Sequence, residues 1–176
     1  MVEAQFEKGQ LLVYGTNGIC TVESVEHMSF SAGMPKEMYY VLRQHRNQEN
    51  TFFVPLKNEK LTSKMREIMQ KEDIEDILMG LSEGDVKWLK DRRERAEYFK
   101  GILHDGVSQK LLSMIITIYN QKRKLEKEGK KLPVTESGIL KSAEKLVEEE
   151  FGWVLGMEPE QVPKFIRKRL HIPEEE

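Results

Sequence analysis

The residues best suited to recognition chemistry lie in one stretch, 84–103, where a tryptophan stands among cations. Five basic residues surround Trp88 in the sequence: Lys87, Lys90, Arg92, Arg93 and Arg95. An apolar ring flanked by cations that pair with phosphates is suited to entering the minor groove of DNA at an unstacked base step. The alternative is a tryptophan half-buried against a neighbouring helix, with Arg92 stacked on its face as a cation–π pair. The residues alone leave both interpretations open.

Charge is distributed unevenly along the 176-residue chain, although the net charge is only −2. Residues 86–131 contain 13 Lys and Arg against 6 Asp and Glu, a local balance of +7, whereas residues 132–176 contain 6 basic and 10 acidic residues. A nearly neutral protein with one basic helical zone can still present a positive face to a polyanion. A solvated helix surface accounts for the same residues, so charge alone does not decide between the two.

Helical periodicity predicts the elements that carry this basic zone. The predicted helices cover residues 71–81, 86–103, 107–128, about 135–154 and about 160–170. The break at Gly84-Asp85 offers an N-cap for the second of them, and Trp88 lies off its apolar stripe. The wide apolar stripe of 107–128 indicates the buried centre of a helical bundle.

The first 56 residues have a different, β-like pattern. Short runs at 11–14, 19–28, 38–44 and 51–55 are rich in β-branched and aromatic residues and are separated by turns. Four or five short strands in so short a stretch predict a small curled sheet or barrel. We therefore expect an α+β protein with a small β-barrel domain over residues 1–60, a connector near 57–70 and an all-α helical-bundle domain over residues 61–176.

The remaining polar residues do not form a catalytic or metal-binding pattern. The four histidines are far apart, Cys20 is the single cysteine, and the carboxylates at 148–150 are expected to face mostly solvent. We expect a binding protein that is not an enzyme and uses no cofactor, metal or small-molecule substrate. No segment reaches the length of a membrane span, no export signal is evident, and a lone cysteine suits a reducing compartment, so we expect a cytoplasmic protein with no membrane partner.

A second recognition surface is predicted at the strand TFFVP (51–55), which a proline closes. Phe52 and Phe53 are adjacent in a strand and therefore point to opposite faces, so one should enter the core and the other should be available to a partner. An edge strand of this kind can lend its backbone to a partner sheet, or it can simply close the barrel.

The order of these motifs resembles the CarD-like family, also called CarD/CdnL/TRCF. The segment FEKGQLLVYGTNGICTVESVE (6–26) is similar to the family's opening, in which an aromatic and a glycine precede a strand that ends in tyrosine, a turn and a second strand. The matching residues are Phe6, Gly9, Val13, Tyr14, Gly18, Val22, Val25 and Glu26. YYVLR (39–43) and FFVP (52–55) resemble the next two strands, and the region from Trp88 onward resembles the family's C-terminal domain.

The resemblance implies a Tudor-like N-terminal domain that docks on the β subunit of bacterial RNA polymerase. It also implies a helical C-terminal domain that contacts promoter DNA at the upstream edge of the transcription bubble, where a family tryptophan wedges into the minor groove. Trp88 matches that tryptophan, so DNA binding is assigned to Trp88 and to the five cations around it. We expect the polymerase surface to include Phe52, Phe53 and Met28. The implied function is a transcription regulator that stabilises the open promoter complex.

The chain departs from the family pattern at several positions. Gly15 stands where many members have proline, and Phe53 stands where some members have an arginine that faces the polymerase. Lys90 and Asp91 occupy the places after the tryptophan where arginines are common. The alternative function is a protein–protein adaptor whose basic helical zone binds an acidic protein partner, with Trp88 in the core.

Overall fold

The computed structural model describes residues 3–81 and 84–172. The chain divides into two compact units between Ile68 and Met69, and each unit has its own cluster of buried apolar side chains. The first unit is an antiparallel sheet and the second is helical, which makes the protein α+β. Among the described helices, none combines the length and the apolar character needed to cross a membrane.

From residue 3 onward, the N-terminal unit has five antiparallel strands. They are β1 (Leu11–Tyr14), β2 (Ile19–Met28), β3 (Glu37–Gln44), β4 (Thr51–Pro55) and β5 (Met65–Glu67), with a short helix α1 (Glu59–Thr62) between the last two. Their order in the sheet is β4-β3-β2-β1-β5. A 3-10 turn at Gly15–Asn17 joins β1 to β2, and Gly15 adopts a φ of 48° there. Proline holds φ near about −65°, so the departure at Gly15 follows from the shape of this turn.

A β-bulge in β2 decides which of its side chains reach the core. The pairing of β2 with β3 shifts register between Val22 and Ser24. One extra residue reverses the alternation of side chains, so Val22 and Val25 both pack in the core of the N-terminal unit. Strict alternation over 19–28 would have placed them on opposite faces.

The fifth strand lies in the stretch that the sequence analysis treats as a connector. β5 pairs with β1, with Met65 opposite Tyr14, and the amide of Gly15 donates to the Lys64 carbonyl at 2.9 Å. Residues 57–67 therefore belong to the sheet unit. Within the described residues β4 and β5 each pair with a single strand, so this sheet has two edges. The closed, Tudor-like barrel stays a prediction.

Within residues 69–81 and 84–172, the C-terminal unit has five α-helices around one core. They are α2 (Lys71–Met79), α3 (Arg92–Asp105), α4 (Ser108–Lys127), α5 (Val134–Leu155) and α6 (Val162–Arg169), and a 3-10 turn at Pro159–Gln161 precedes α6. The fully buried side chains include Phe99 from α3, Met114 and Ile118 from α4, and Phe151 from α5. The buried side chains of α4 lie between Ser108 and Ile118, in the first part of its predicted apolar stripe.

Helix α3 begins at Arg92 and not at residue 86, where the sequence analysis expects it. Asp91 is its N-cap: the carboxylate Oδ1 accepts from the amides of Arg93 at 2.9 Å and Glu94 at 2.8 Å. These contacts satisfy two amide donors that a first helical turn leaves unpaired. The predicted N-cap at Gly84-Asp85 is wrong, and Trp88 precedes the helix.

One of the carboxylates that the sequence analysis places in solvent is inside the helical unit. Glu150 is buried and accepts hydrogen bonds from the amide of Met69 at 3.2 Å and the hydroxyl of Ser108 at 3.4 Å. A buried carboxylate needs donors of this kind because it has lost its hydration. Glu150 therefore links α5 to the first residue of the unit and to the start of α4.

Candidate interaction surfaces

Trp88 lies in the segment 84–91, which packs against the helical core. Its ring is half-buried and its centroid is 5.9 Å from that of Phe99. The guanidinium carbon of Arg95 lies 4.2 Å from the centre of the Trp88 ring, which is a cation–π contact. The stacked cation is Arg95 and not Arg92, because Trp88 precedes α3 and does not lie on its surface.

Arg95 is buried, and this overturns its assignment as a DNA contact. The residue is 5% exposed, and its Nη2 lies 2.6 Å from Oε1 of Glu136, which is fully buried. Its Nη1 donates to the carbonyls of Leu89 at 2.8 Å and Lys90 at 3.3 Å. A guanidinium held in this way is not available to a phosphate. Sequence reasoning missed it because arginine is usually exposed and the partner lies 41 residues away.

The four other cations predicted to contact DNA are exposed. They are Lys87, Lys90, Arg92 and Arg93. Nε of Arg93 lies 3.6 Å from the Glu97 carboxylate, one turn further along α3. Of the whole predicted set, Trp88 and Lys87 line a common cleft in the helical unit.

This cleft runs along α4 and encloses about 850 Å³. Arg123, Lys124 and Lys127 line it together with Lys87 and Trp88, and no carboxylate is among the described residues of its lining. We call it the basic cleft. A concave surface lined by one sign of charge focuses the electrostatic field and raises the local concentration of a polyanion.

The α4 cations of the basic cleft are functional candidates that sequence reasoning missed. Lys127 follows Arg123 by four residues and Lys124 by three, so it neighbours both on the helix surface, a signal that the sequence contains. The sequence does not show that the Trp88 segment lies beside that face. The Thr117 hydroxyl of α4 makes this connection by donating to the Val86 carbonyl at 2.8 Å.

In the N-terminal unit, the edge strand β4 carries one exposed aromatic side chain, that of Phe53. Phe53 is 43% exposed, and its ring centroid lies 5.3 Å from that of Phe30, which in turn lies 5.2 Å from that of Tyr39. We call Phe30, Tyr39 and Phe53 the aromatic patch. Phe52 points to the other face and packs on Tyr14 with a centroid distance of 5.7 Å.

Two methionines lie in the same part of the N-terminal unit. Met28, a predicted polymerase contact, is half-buried at the end of β2 and pairs with Glu37 of β3. Met34 is exposed in the loop between β2 and β3, as is Phe30 of the aromatic patch. Sequence reasoning singled out neither Met34 nor Phe30, because the segment SAGMPK indicates only a turn. Clustered exposed apolar side chains of this kind mark interaction sites.

Further along β3 the same face of the sheet becomes polar. Nε and Nη2 of Arg43 each donate to the Glu23 carboxylate at 2.9 Å, and Nη1 donates to the Gln48 carbonyl at 2.7 Å. The hydrogen bond from Arg43 holds the pKa of the Glu23 carboxyl below its ordinary value. Arg43 thus ties β2 and the loop before β4 to β3, and the aromatic patch occupies the other end of this face.

Comparison with known families decides what the N-terminal unit is. Residues 6–69 match the family model described as the CarD-like/TRCF RID domain. The N-terminal unit is a CarD-like/TRCF RID domain. The match includes all five strands of the sheet and ends at the division between the two units. RID domains interact with the β subunit of RNA polymerase. Among curated proteins, none matches the chain.

Proposed function

We propose that this chain is a transcription regulator that binds the RNA polymerase β subunit through its RID domain and promoter DNA through its helical unit. The two contacts together stabilise the open promoter complex. The observation that carries the proposal is the presence, in one chain, of a RID domain and a basic cleft that holds a tryptophan.

The edge strand β4 supports the polymerase contact. An edge strand offers backbone N–H and C=O groups to which a partner strand can add, and side chains at alternate positions set the specificity. In β4 the exposed position is Phe53, which belongs to the aromatic patch. The contact is therefore apolar at the position where some family members have an arginine. The Tudor-like description belongs to this proposal: a curled sheet that keeps its β4 edge open to the polymerase.

The basic cleft supports the DNA contact. Its cations pair with phosphates, which positions the duplex but reads no sequence, and Trp88 supplies a ring that stacks on a distorted base step. A few phosphate contacts alone give a dissociation constant of only about 10⁻⁴–10⁻⁶ M at physiological salt. Attachment to the polymerase raises the effective concentration of the helical unit at the promoter, which makes a weak contact sufficient.

The proposed mechanism is binding without catalysis. Closure of the bubble restacks the upstream base step, and a ring inserted there must leave first. Because the inserted ring offsets an unstacking cost of a few kcal/mol, it lowers the free energy of the open state relative to the closed duplex. The protein acts in the cytoplasm with the polymerase and uses no cofactor.

The test is the lifetime of the open promoter complex with Trp88→Ala. We expect the lifetime to shorten by about tenfold, the usual worth of one aromatic ring stacked on a base, while β-subunit binding is unchanged. Trp153→Ala is the matched control, because Trp153 is a half-exposed tryptophan on α5 of the same unit. An unchanged lifetime with a folded Trp88→Ala protein contradicts the role of Trp88 in DNA binding.

A competition experiment separates DNA from an acidic protein as the partner of the basic cleft. An adaptor would bind an acidic polypeptide, and this binding would not respond to promoter sequence or bubble length. We expect instead that DNA with an open bubble competes for the cleft better than the same duplex without one, and that Lys124→Gln weakens both competitions.

A further inference from the structure

The segment 84–91 has no helix or strand of its own, yet it is fixed at two places. At its start, Val86 is buried and its carbonyl accepts from the Thr117 hydroxyl at 2.8 Å. At its end, the carbonyls of Leu89 and Lys90 accept from Arg95. Trp88 lies between these two attachments, so their geometry decides where its ring points.

Arg95 makes three kinds of contact with or beside this segment. One nitrogen donates to the two carbonyls, the face of the guanidinium stacks on the Trp88 ring at 4.2 Å, and the remaining nitrogens pair with Glu136. A planar guanidinium can make all of these contacts together, whereas the flexible ammonium of lysine cannot. The ring is thereby held on one side by Phe99 and on another by Arg95.

The partner of Arg95 is placed deep in the helical unit. Glu136, in the first turn of α5, is fully buried, and its second oxygen, Oε2, has no hydrogen-bond partner among the described residues. A buried ion pair that is not fully hydrogen-bonded contributes little to stability, and apolar side chains of similar volume often replace such pairs without loss. Stability alone therefore does not account for this pair.

We propose that Arg95 and Glu136 are positioning residues that hold the Trp88 ring in the orientation it needs in the basic cleft. Glu136 fixes the guanidinium, and the guanidinium fixes both the backbone after Trp88 and the ring itself. Because Glu136 neutralises Arg95, the pair orients the ring and adds no attraction for phosphates. The importance of this orientation for DNA rests on the proposed function, whereas the orientation itself does not.

The test uses the double variant Arg95→Met/Glu136→Leu, which replaces the pair with apolar side chains of similar size. The background is Trp153→Phe, so that fluorescence reports on Trp88 alone. We expect the midpoint of thermal unfolding to stay near that of the parent. We also expect the equilibrium between seated and released Trp88 to shift by at least about tenfold toward release, because hydrogen bonds from a charged donor have been lost. Acrylamide quenching of Trp88 rises as a result.

Arg95→Lys is the conservative variant. It keeps the charge beside Glu136 but loses the planar fork, so Trp88 quenching should rise and the open-complex lifetime should fall toward that of Trp88→Ala. If Arg95 and Glu136 only stabilise the fold, acrylamide quenching of Trp88 should stay at the parental level in every variant that folds. Parental quenching in both variants overturns the positioning proposal, whatever the DNA experiments show. If quenching rises while Trp88→Ala leaves the lifetime unchanged, the positioning role stands and the proposed function fails.

Discussion

The RID domain and the helical unit present two surfaces that differ in their physics. The aromatic patch of the RID domain is apolar, and its polar neighbours Arg43 and Glu23 neutralise each other. The basic cleft of the helical unit has cations on its walls, with the Trp88 ring beside them. Apolar contacts act at short range and respond little to salt, whereas phosphate contacts act at long range and weaken steeply as salt rises. The proposed function thus combines a salt-resistant attachment with a salt-sensitive contact.

The largest expected effect is on the affinity of the RID domain for the β subunit. Phe53→Glu places a carboxylate in the aromatic patch, where binding to the polymerase would have to desolvate it. We expect β-subunit affinity to fall by at least about 2 kcal/mol, the scale of a hot-spot residue. Titration calorimetry with the β subunit measures it, and circular dichroism checks the fold.

Met79→Glu is the control for this substitution, since Met79 is an exposed methionine in the helical unit. It adds the same charge to the chain and should leave β-subunit affinity at the parental value. Equal affinity for Phe53→Glu and Met79→Glu would remove β4 from the interface.

An intermediate effect concerns the basic cleft. Lys124→Gln/Lys127→Gln removes two phosphate contacts, so the slope of log K against log salt for DNA binding should become shallower by about 2. At low salt the affinity itself should fall by about tenfold. The matched control is Lys141→Gln/Lys145→Gln, which removes the same charge from an exposed face of α5. An identical slope in both double variants would mean that the DNA does not enter the basic cleft.

A smaller effect concerns an acidic part of the helical unit outside the cleft. Burial beside an apolar pocket between α4, α5 and α6 raises the pKa of the Glu148 carboxyl, and the carboxylates of Glu144 and Glu160 raise it further. A raised folded-state pKa in an acid destabilises the fold once pH exceeds the unfolded value, fully so above the folded value. Glu148→Gln should therefore stabilise the protein at pH 7, by no more than about 1 kcal/mol because water screens this half-exposed group.

Denaturant melts of the Glu148→Gln variant at two pH values measure this effect. Its advantage at pH 7 should disappear below about pH 4, where the carboxyl is protonated in both the folded and the unfolded protein. An advantage that persists at low pH would assign the gain to something other than charge. DNA binding should be unaffected, because Glu148 does not line the basic cleft.

The RID domain should respond to pH in the opposite direction. The pKa of Glu23 is lowered by its hydrogen bond from Arg43, so this pair stabilises the fold above the unfolded pKa and stops doing so as pH falls through the folded value. The two side chains are 32% and 39% exposed and water screens the pair, so we expect only a slight loss of stability on acidification, and Glu23→Gln should remove it. Hydrogen exchange of the Cys20 amide, measured in both proteins at low pH, reports this change as a loss of protection.

Local sequence patterns are sufficient to predict most of the strands and helices. The four strands from β1 to β4 and the centre of α4 follow from short alternating runs and from a long apolar stripe. β5 was not predicted, because Met65–Glu67 is only three residues long and exists through its pairing with β1, far away in the sequence. The start of α3 was predicted too early, because good helix formers before Asp91 outweighed its capping signal with Glu94.

The candidate site depended more on contacts that are distant in sequence. The sequence predicts that Trp88 and its cations form a functional region, and it contains the spacing of the α4 cations. It does not show that Glu136, 41 residues further on, draws Arg95 into the interior. The same holds for Glu150, which is buried because the amide of Met69 and the hydroxyl of Ser108 meet it. A charged side chain is buried only where a partner satisfies it. The partners of Arg95 and Glu150 are distant in sequence, so the local sequence pattern does not reveal them.

Cys20 is buried in the core of the RID domain, and both tryptophans lie in the helical unit, so each unit has its own intrinsic reporter. The chain has one cysteine, which is fully buried among the strands of the RID domain, and two tryptophans, Trp88 and Trp153, which both belong to the helical unit. A thiol reagent reaches Cys20 only when the sheet opens, so the alkylation rate measures the opening free energy of the RID domain. Tryptophan emission follows the helical unit in the same tube. The wild-type chain therefore allows the unfolding of its two halves to be followed separately, without any added label.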